Sequence, residues 1–308
     1  MLLRIGWQHH CSGKMRRPET GKLALGTVQF GLPYGIANQL GIVPPEEVSE
    51  ILDQARQSGV DTIDTAIAYG DSEQVLGMAG VAGFKVISKL PAVPDDVRDA
   101  GTWALAQVEG SLGRLGIRNL HGLFLHKPDD LLGRHGRQLT AAMASMKSSG
   151  LVSKLGISVY GPDEIAPAME NLDVDIVQAP FNLVDRRLSN SGWLSKLHTM
   201  GVEVHVRSVF LQGLLLMQVG RVREQFPKWN HLWNTWEKWQ QDSSMSPLQL
   251  CIGFVSLFSE IHRMVIGIDS VLQFREVLAT ATGALPETFP DLTSNDVELV
   301  NPSHWCLA

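Results

Sequence analysis

Short apolar runs alternate with longer amphipathic stretches along most of the chain. The first run is Leu23-Ala24-Leu25-Gly26-Thr27. Residues 45–58 follow, with Val48, Ile51, Leu52 and Ala55 at helical spacing. Asp61-Thr62-Ile63-Asp64-Thr65 is short and β-branched, which predicts a second strand. The same reading predicts strands over 85–90, 120–125, 154–159, 175–179, 202–208 and 263–268. Helices are predicted over 72–78, 95–113, 138–148, 162–170, 192–200, 247–258 and 271–280. Gly59, Gly150 and Gly201 follow helices at the point where a left-handed cap is wanted.

Strict strand–helix alternation implies a parallel sheet, and eight such units can close on themselves. No G-x-G-x-x-G follows the first strand, which removes the main support for an open, doubly wound sheet. The expected fold is therefore α/β, a single-domain (β/α)8 TIM barrel over residues 21–308. Residues 1–20 form a polar extension, expected to be mobile up to about Glu19, and Met15 is a second candidate start.

The 308 residues are 44% hydrophobic, enough for one large core. A net charge of −6 with 19% charged residues offers no footprint for nucleic acid or anionic lipid. Small molecules are the expected partners, and the sequence assigns no oligomeric state. Cys11, Cys251 and Cys306 are far apart and form no C-x-x-C pair, so neither a disulfide framework nor a zinc site is expected. No segment has the length of an apolar membrane span, and residues 1–21 lack the apolar region of a signal peptide. The expected setting is the reducing cytoplasm.

In barrels of this kind the chemistry sits at the C-terminal ends of the strands. Polar residues are sparse in the apolar runs, yet they collect at those ends. Asp64 and Tyr69 follow the second strand, Lys89 lies in the third and His126 follows the fourth. Ser158 ends the fifth, Gln178 and Asn182 follow the sixth, and Arg207 and Ser208 end the seventh. An ammonium placed beside a phenol favours the phenolate and makes the phenol a better acid. A buried aspartate would keep that ammonium charged. A neutral histidine could orient a carbonyl while the tyrosine donates a proton to it. Each residue alone has a plain structural reading, but four such groups on three neighbouring strand ends form a set.

The chain resembles the aldo-keto reductase superfamily from Leu23 to about Thr280. The likeness is carried by Leu25-Gly26-Thr27, by the string Asp64-Thr65-Ala66-Ile67-Ala68-Tyr69-Gly70-Asp71-Ser72-Glu73, and by Ile87-Ser88-Lys89. Leu125-His126-Lys127-Pro128, Leu155-Gly156-Ile157-Ser158 and Gln178-Ala179-Pro180-Phe181-Asn182 follow in order. The resemblance implies NAD(P)-dependent interconversion of a carbonyl and its alcohol. It puts Asp64, Tyr69, Lys89 and His126 on a catalytic tetrad with Tyr69 as proton donor. Ser158 and Gln178 fall where the nicotinamide carboxamide is held, and Gly26 and Thr27 are further cofactor-binding candidates. Ser208, Phe210, Gln212 and Gly213 fall where the pyrophosphate is covered, with the N-terminus of the last helix as a further anion site, and Arg207 is a further cofactor-binding candidate. Gly267, Asp269, Ser270, Gln273 and Glu276 fall near the adenosine.

Two departures concern the cofactor. Val159 stands where the family often has asparagine, and Arg207 where it often has a ring that stacks on nicotinamide. Family habit favours NADP(H), with Arg263 and Arg275 nearby, while Asp269 would repel a 2′-phosphate and keeps NAD(H) in view. The stretches 28–35 and 207–215 resemble a bacterial branch that accompanies surface-sugar biosynthesis, which suggests a sugar-derived carbonyl. Phe30 and Trp229 are the substrate candidates. Trp229, Leu232, Trp233, Trp236 and Trp239 recur at helical spacing, predicting an aromatic helical insertion after the seventh strand. Its favoured reading is core packing rather than a lid. Asp185, Arg186 and Arg187 read as surface pairing. A cofactor-binding regulatory barrel with weak or no catalysis is the alternative function, and a Schiff base at Lys89 ranks below it.

Overall fold

The computed structural model describes residues 20–283 and 289–305. The expectations for residues 1–19, including Cys11 and Met15, and for Cys306 lie outside the described residues. Eight parallel strands form a closed barrel in sequence order. They are β1 (Leu23–Gly26), β2 (Thr62–Asp64), β3 (Lys85–Leu90), β4 (Leu120–Leu125), β5 (Val152–Ser158), β6 (Ile176–Pro180), β7 (Glu203–Arg207) and β8 (Arg263–Gly267). β1 closes the ring by pairing with both β2 and β8. Around it run α1 (Pro45–Ser58), α2 (Ser72–Ala79), α3 (Ala100–Leu115), α4 (Gly136–Ser148), α5 (Ile165–Met169), α6 (Arg187–Asn190), α7 (Trp193–Thr199), α8 (Val219–Gln225), α9 (Asn230–Ser243), α10 (Pro247–Ser256), α11 (Val271–Ala281) and α12 (Val297–Val300). Among the described residues no helix is long and apolar enough to cross a membrane.

Local signals account for the ends of these elements. Helix α1 opens on Pro45, where the missing N–H costs nothing, with Glu46 and Glu47 against its positive end. It closes on Gly59 at φ 79°, whose N–H donates to the carbonyls of Ala55 and Arg56. Its buried stripe is Val48, Ile51, Leu52 and Ala55, as the spacing predicts. Helix α3 starts five residues later than its apolar pattern suggests. Asp99 is the N-cap, its carboxylate accepting from the N–H groups of Gly101 and Thr102. The stretch predicted as one helix over 162–170 is a 3-10 turn, Pro162–Glu164, followed by α5. Pro167 inside it has no N–H to donate, so the four-residue spacing of bonds cannot start earlier.

The barrel interior is small and filled. Phe124 projects into it beside Ile87 and Ile176. Gly156 makes this possible, because a Cβ there would lie 2.4 Å from the Phe124 ring. The remaining core lies between the strands and the helices. Cys251 is buried there, and burial pushes its thiol pKa up.

The aromatic insertion after β7 is α8, a 3-10 turn at Pro227–Trp229, and α9. Leu232, Trp233 and Trp236 are buried, and the Trp233 indole donates to the Phe226 carbonyl at 2.9 Å. Trp239 lies against Trp236 and Phe289. The stripe is core packing that ties the insertion to the chain's C-terminal segment.

Candidate active site

The loop that carries Tyr69 is built by its neighbours in the string from Asp64 to Glu73. The Ser72 hydroxyl donates to the Thr27 carbonyl at 2.8 Å and lies 3.2 Å from the Thr65 hydroxyl. Thr27 donates from both its N–H and its hydroxyl to the Asp64 carbonyl, tying β1 to β2. Glu73 is buried beneath the loop, with Oε1 accepting from Ser88 and Ser111 and Oε2 from two N–H groups of Arg114. Two glycines let this loop meet the one after β1. A Cβ on Gly31 would lie 2.0 Å from the Tyr69 carbonyl, and one on Gly70, at φ 53°, 2.5 Å from the Gly31 carbonyl. The serine and glutamate of the string therefore hold the tyrosine's loop.

Above this scaffold the polar strand ends converge. Lys89 has no solvent exposure, and its ammonium donates to Asp64 Oδ1 at 2.6 Å and to the Thr65 carbonyl at 2.8 Å. It lies 5.1 Å from the centroid of the Tyr69 ring. Burial would push the Lys89 pKa down, but the Asp64 carboxylate and the Tyr69 phenol outweigh it and the pKa is raised. The other Asp64 oxygen accepts from Gln178 Nε2 at 2.8 Å, and Ser158 donates to Gln178 Oε1 at 3.1 Å. The β5–β6 register sets Ser158 directly opposite Gln178. His126 meets Tyr69 edge-on, with ring centroids 5.8 Å apart. Its pKa is lowered to about 4 by burial and by the charges of Lys89 and Arg207, so the ring is neutral near pH 7.

That depression makes a pH-dependent stability term. The unfolded histidine takes up a proton near pH 6.5 and the folded one near 4. Between those values the unfolded state holds more protons, so this contribution is intact above about pH 6.5 and is lost as pH falls toward 4. Relative to His126→Asn, the native protein is expected to lose up to about 2 kcal/mol of unfolding free energy between pH 7 and pH 5. Denaturant melts of both proteins at the two pH values measure this. Equal losses would remove the assignment, since other histidines contribute alike to both.

These groups line a cavity of about 320 Å³ at the C-terminal mouth of the barrel. Of the residues proposed from the sequence, Gly26, Thr27, Asp64, Tyr69, His126, Ser158, Gln178 and Arg207 line it. So do Ser208, Phe210, Gln212, Gly213, Gly267, Asp269 and Gln273. Lys89 stands behind the wall and reaches the site through Asp64 and Tyr69; a lysine so enclosed is poorly placed to attack a carbonyl as an amine. A wider, open cleft of about 660 Å³ at the opposite end of the barrel holds none of these groups.

Four other residues proposed from the sequence do not line the cavity at the barrel mouth. Phe30 is 1% exposed and packs in the core, so it does not reach the cavity. Trp229 donates to Asp296 and packs on Phe226, on the outside of the insertion's core. Ser270 caps α11 by accepting from the Gln273 N–H. Glu276 lies on the exposed face of α11. The first turn of α11 already meets protein acceptors. The Val271 N–H donates to Glu47 and the Asp269 N–H to Gln273, and a carboxylate already stands there. Asp185 and Arg187 form a bidentate pair, but Asp185 is buried rather than on the surface, and Arg186 donates to the Leu183 and Pro290 carbonyls instead of an acid.

The structure adds walls that the strand-end rule misses. Tyr34, Gly35, Ala37 and Asn38, from the long loop after β1, face Tyr160, Val209 and Leu216 across the mouth. Gln212 donates to the Tyr34 hydroxyl at 2.7 Å and joins the β1 and β7 loops. Gln29, at 9% exposure, also lines the cavity and approaches Gly267, where a Cβ would lie 2.5 Å from its amide nitrogen. Gln29 Oε1 and Asp269 Oδ1 are buried with no partner among the described residues. Burial pushes the Asp269 pKa up. Backbone N–H groups of Val209, Phe210 and Gln212 donate to no protein acceptor among the described residues, and Ser208, Leu211 and Gln212 take positive φ near 50–60°.

Comparison with known proteins agrees with this architecture. The aldo/keto reductase family model matches residues 22–288. The chain is 25% identical over 196 residues to an NADH-specific methylglyoxal reductase of Escherichia coli, covering 54% of this chain and 58% of that one. It is 28% identical over 118 residues to an L-glyceraldehyde 3-phosphate reductase of Escherichia coli, covering 37% of this chain and 34% of the other. The matched regions thus span little more than half of these relatives or less. Among solved structures it is similar in fold to a holo-form aldo-keto reductase from Bacillus halodurans, with a TM-score of 0.66 at 17% identity, covering 88% and 91% of the two chains. A putative aldo-keto reductase from Pseudomonas aeruginosa is similar at a TM-score of 0.62 and 21% identity, covering 87% and 93%. With a family model spanning most of its length and a closed eight-stranded barrel, the chain belongs to the aldo/keto reductase family.

Proposed function

We propose that this protein is a reductase of small aldehydes or ketones that uses NADH in preference to NADPH. The observation that carries the reading is the cluster at the cavity wall: a tyrosine beside a buried, aspartate-paired ammonium and a neutral histidine. When bound, the reduced nicotinamide supplies a hydride to the carbonyl carbon. Tyr69 donates the proton that the carbonyl oxygen then needs. The Lys89 ammonium stabilises negative charge left on the phenol oxygen, and Asp64 holds that ammonium in place. His126, neutral at its depressed pKa, donates a hydrogen bond to the carbonyl and orients it. The reverse direction uses the same groups.

The lining of the cavity offers groups suited to a nicotinamide dinucleotide. Free N–H groups of the β7 loop can hold a diphosphate, as backbone donors in positive-φ turns do. The orphaned oxygens of Gln29 and Asp269 can accept from ribose hydroxyls. Ser158 and Gln178 are within the cavity wall but bond each other and Asp64, so a carboxamide would share their remaining capacity. Family habit favours NADP, but the site favours NADH. Arg263, at the start of β8, is held by Asp61 and Thr62, and Arg275 pairs with Glu50 at the surface. Asp269 and Glu47 oppose one by charge. The similar E. coli protein is named as NADH-specific, which supports the same preference.

Fluorescence titration is expected to give a dissociation constant for NADH at least about tenfold below that for NADPH, the equivalent of roughly 1.4 kcal/mol. Asp269→Arg is expected to narrow or invert the difference. Tighter binding of NADPH by the unaltered protein would refute the preference. Firm cofactor binding with no turnover across aldehydes, ketones and keto sugars would instead favour a regulatory barrel.

A further inference from the structure

Arg207 ends β7 at the cavity wall it shares with Tyr69 and His126. One face of its guanidinium is covered by the Tyr160 ring, 4.7 Å from the centroid. One N–H donates to the Val159 carbonyl at 3.0 Å, and another reaches the Ser208 hydroxyl only at 3.5 Å. A guanidinium carries five donors, so most of its fork remains unsatisfied. No carboxylate lies within ion-pairing distance of it among the described residues. Asp64, the acid nearest the chemistry, already holds Lys89. Tyr34 cannot offset the charge, because burial pushes its pKa up to about 12 despite the Arg207 charge, and its hydroxyl stays neutral.

The position of Arg207 is built. Arg187, itself held bidentate by Asp185, donates to the Tyr160 carbonyl at 2.8 Å. Tyr160 then stacks on Arg207, while Val159, the residue after Ser158, supplies the carbonyl that aims it. A fixed, uncompensated cation on the wall of a half-open cavity raises the local concentration of anions and rewards one that docks.

We propose that Arg207 is the specificity determinant for an anionic substrate: a small aldehyde or ketone that also bears a carboxylate or phosphate, its anion on the guanidinium and its carbonyl toward Tyr69 and His126. This rests on the reductase reading above. The planar fork suits either anion, since both present paired oxygens. The diphosphate of the cofactor is the competing source of the same chemistry.

The test uses matched probes, glyceraldehyde 3-phosphate against glyceraldehyde and glyoxylate against glycolaldehyde, each reduced with saturating NADH. The native enzyme is expected to favour the anionic member of at least one pair by about tenfold or more in kcat/KM. Arg207→Gln should lower that anionic-to-neutral ratio by about 10- to 100-fold, as loss of a charge-assisted hydrogen bond implies. Arg207→Lys should restore part of it, which also guards against a folding defect in the glutamine variant. An unchanged ratio in Arg207→Gln, together with a weakened NADH dissociation constant, would give the guanidinium to the cofactor and overturn the proposal. Equal use of the neutral and anionic probes by the native enzyme would overturn it too, leaving the reductase reading intact. No turnover of any probe, with NADH bound, would remove the reductase reading and this assignment together.

Discussion

Replacing Tyr69 by Phe is expected to lower turnover by about a thousandfold while leaving the NADH dissociation constant within about twofold of its native value. A positioned general acid contributes roughly 10² to 10⁴ in rate, and the phenol is the proton donor proposed for the carbonyl oxygen at this site. The substitution removes one oxygen from the cavity wall and keeps the ring that meets His126 edge-on. It does not touch the tie that holds the loop, because Ser72, Thr27 and Glu73 do that work from below. The fold should therefore survive, and a thermal melt close to native would separate lost chemistry from lost structure. Stopped-flow hydride transfer with NADH reads the rate, and equilibrium fluorescence reads the affinity. Retention of more than about a tenth of native turnover would take the proton-donor role away from Tyr69.

Lys89→Met is expected to fail in two ways at once. Its ammonium is fully enclosed and holds Asp64 at 2.6 Å. Removing one partner of a buried pair leaves the other uncompensated, a change that costs about 3–5 kcal/mol. Turnover should fall along with stability, because negative charge on the phenol oxygen would lose its stabilising neighbour. The double variant Lys89→Met with Asp64→Asn separates the two losses. It removes the stranded carboxylate and should recover much of the stability, while turnover stays low. Full recovery of turnover in the double variant would mean that the lysine serves only the fold. The pair also sets an alkaline limit. Lys89 titrates above its ordinary value of 10.5 in the folded protein, so its contribution is complete below that pH and is lost as pH rises through the folded pKa.

The strand register explains how the proposed tetrad is brought together from three strands. Asp64 and Lys89 are on neighbouring strands, with Asp64 opposite Ile87 and Lys89 opposite Phe124. The inward pleat aims both side chains to the barrel axis, where a carboxylate and an ammonium neutralise each other. Gln178 closes the far side of the same carboxylate from β6. The site is thus a network across the barrel mouth, and its order depends on the ring being closed.

Much of this was legible in the residues themselves. Short apolar runs place all eight strands and period-3.6 patterning the core helices, because barrel strands are buried on both faces and helices on one. Strand ends that break an apolar run with Asp, Lys, His, Ser or Gln stand out for the same reason. Burying them costs free energy unless something pairs with them. The Trp stripe is likewise readable as core by its spacing. What the chain could not disclose depends on contacts between distant segments. Phe30 has the type of a substrate contact, yet only packing shows it turned inward. The wall from Tyr34 to Asn38 comes from a loop without periodic pattern, folded over the mouth and tied to Gln212, residues far off in sequence. Arg263 and Arg275 lie near Asp269 in the chain, but in space they pair with Asp61, Thr62 and Glu50. Sequence spacing determines which face of an element a residue occupies. Which charges meet, and which remain without a partner, is decided only when the ring closes, because Coulomb and hydrogen-bond energies depend on distances in space.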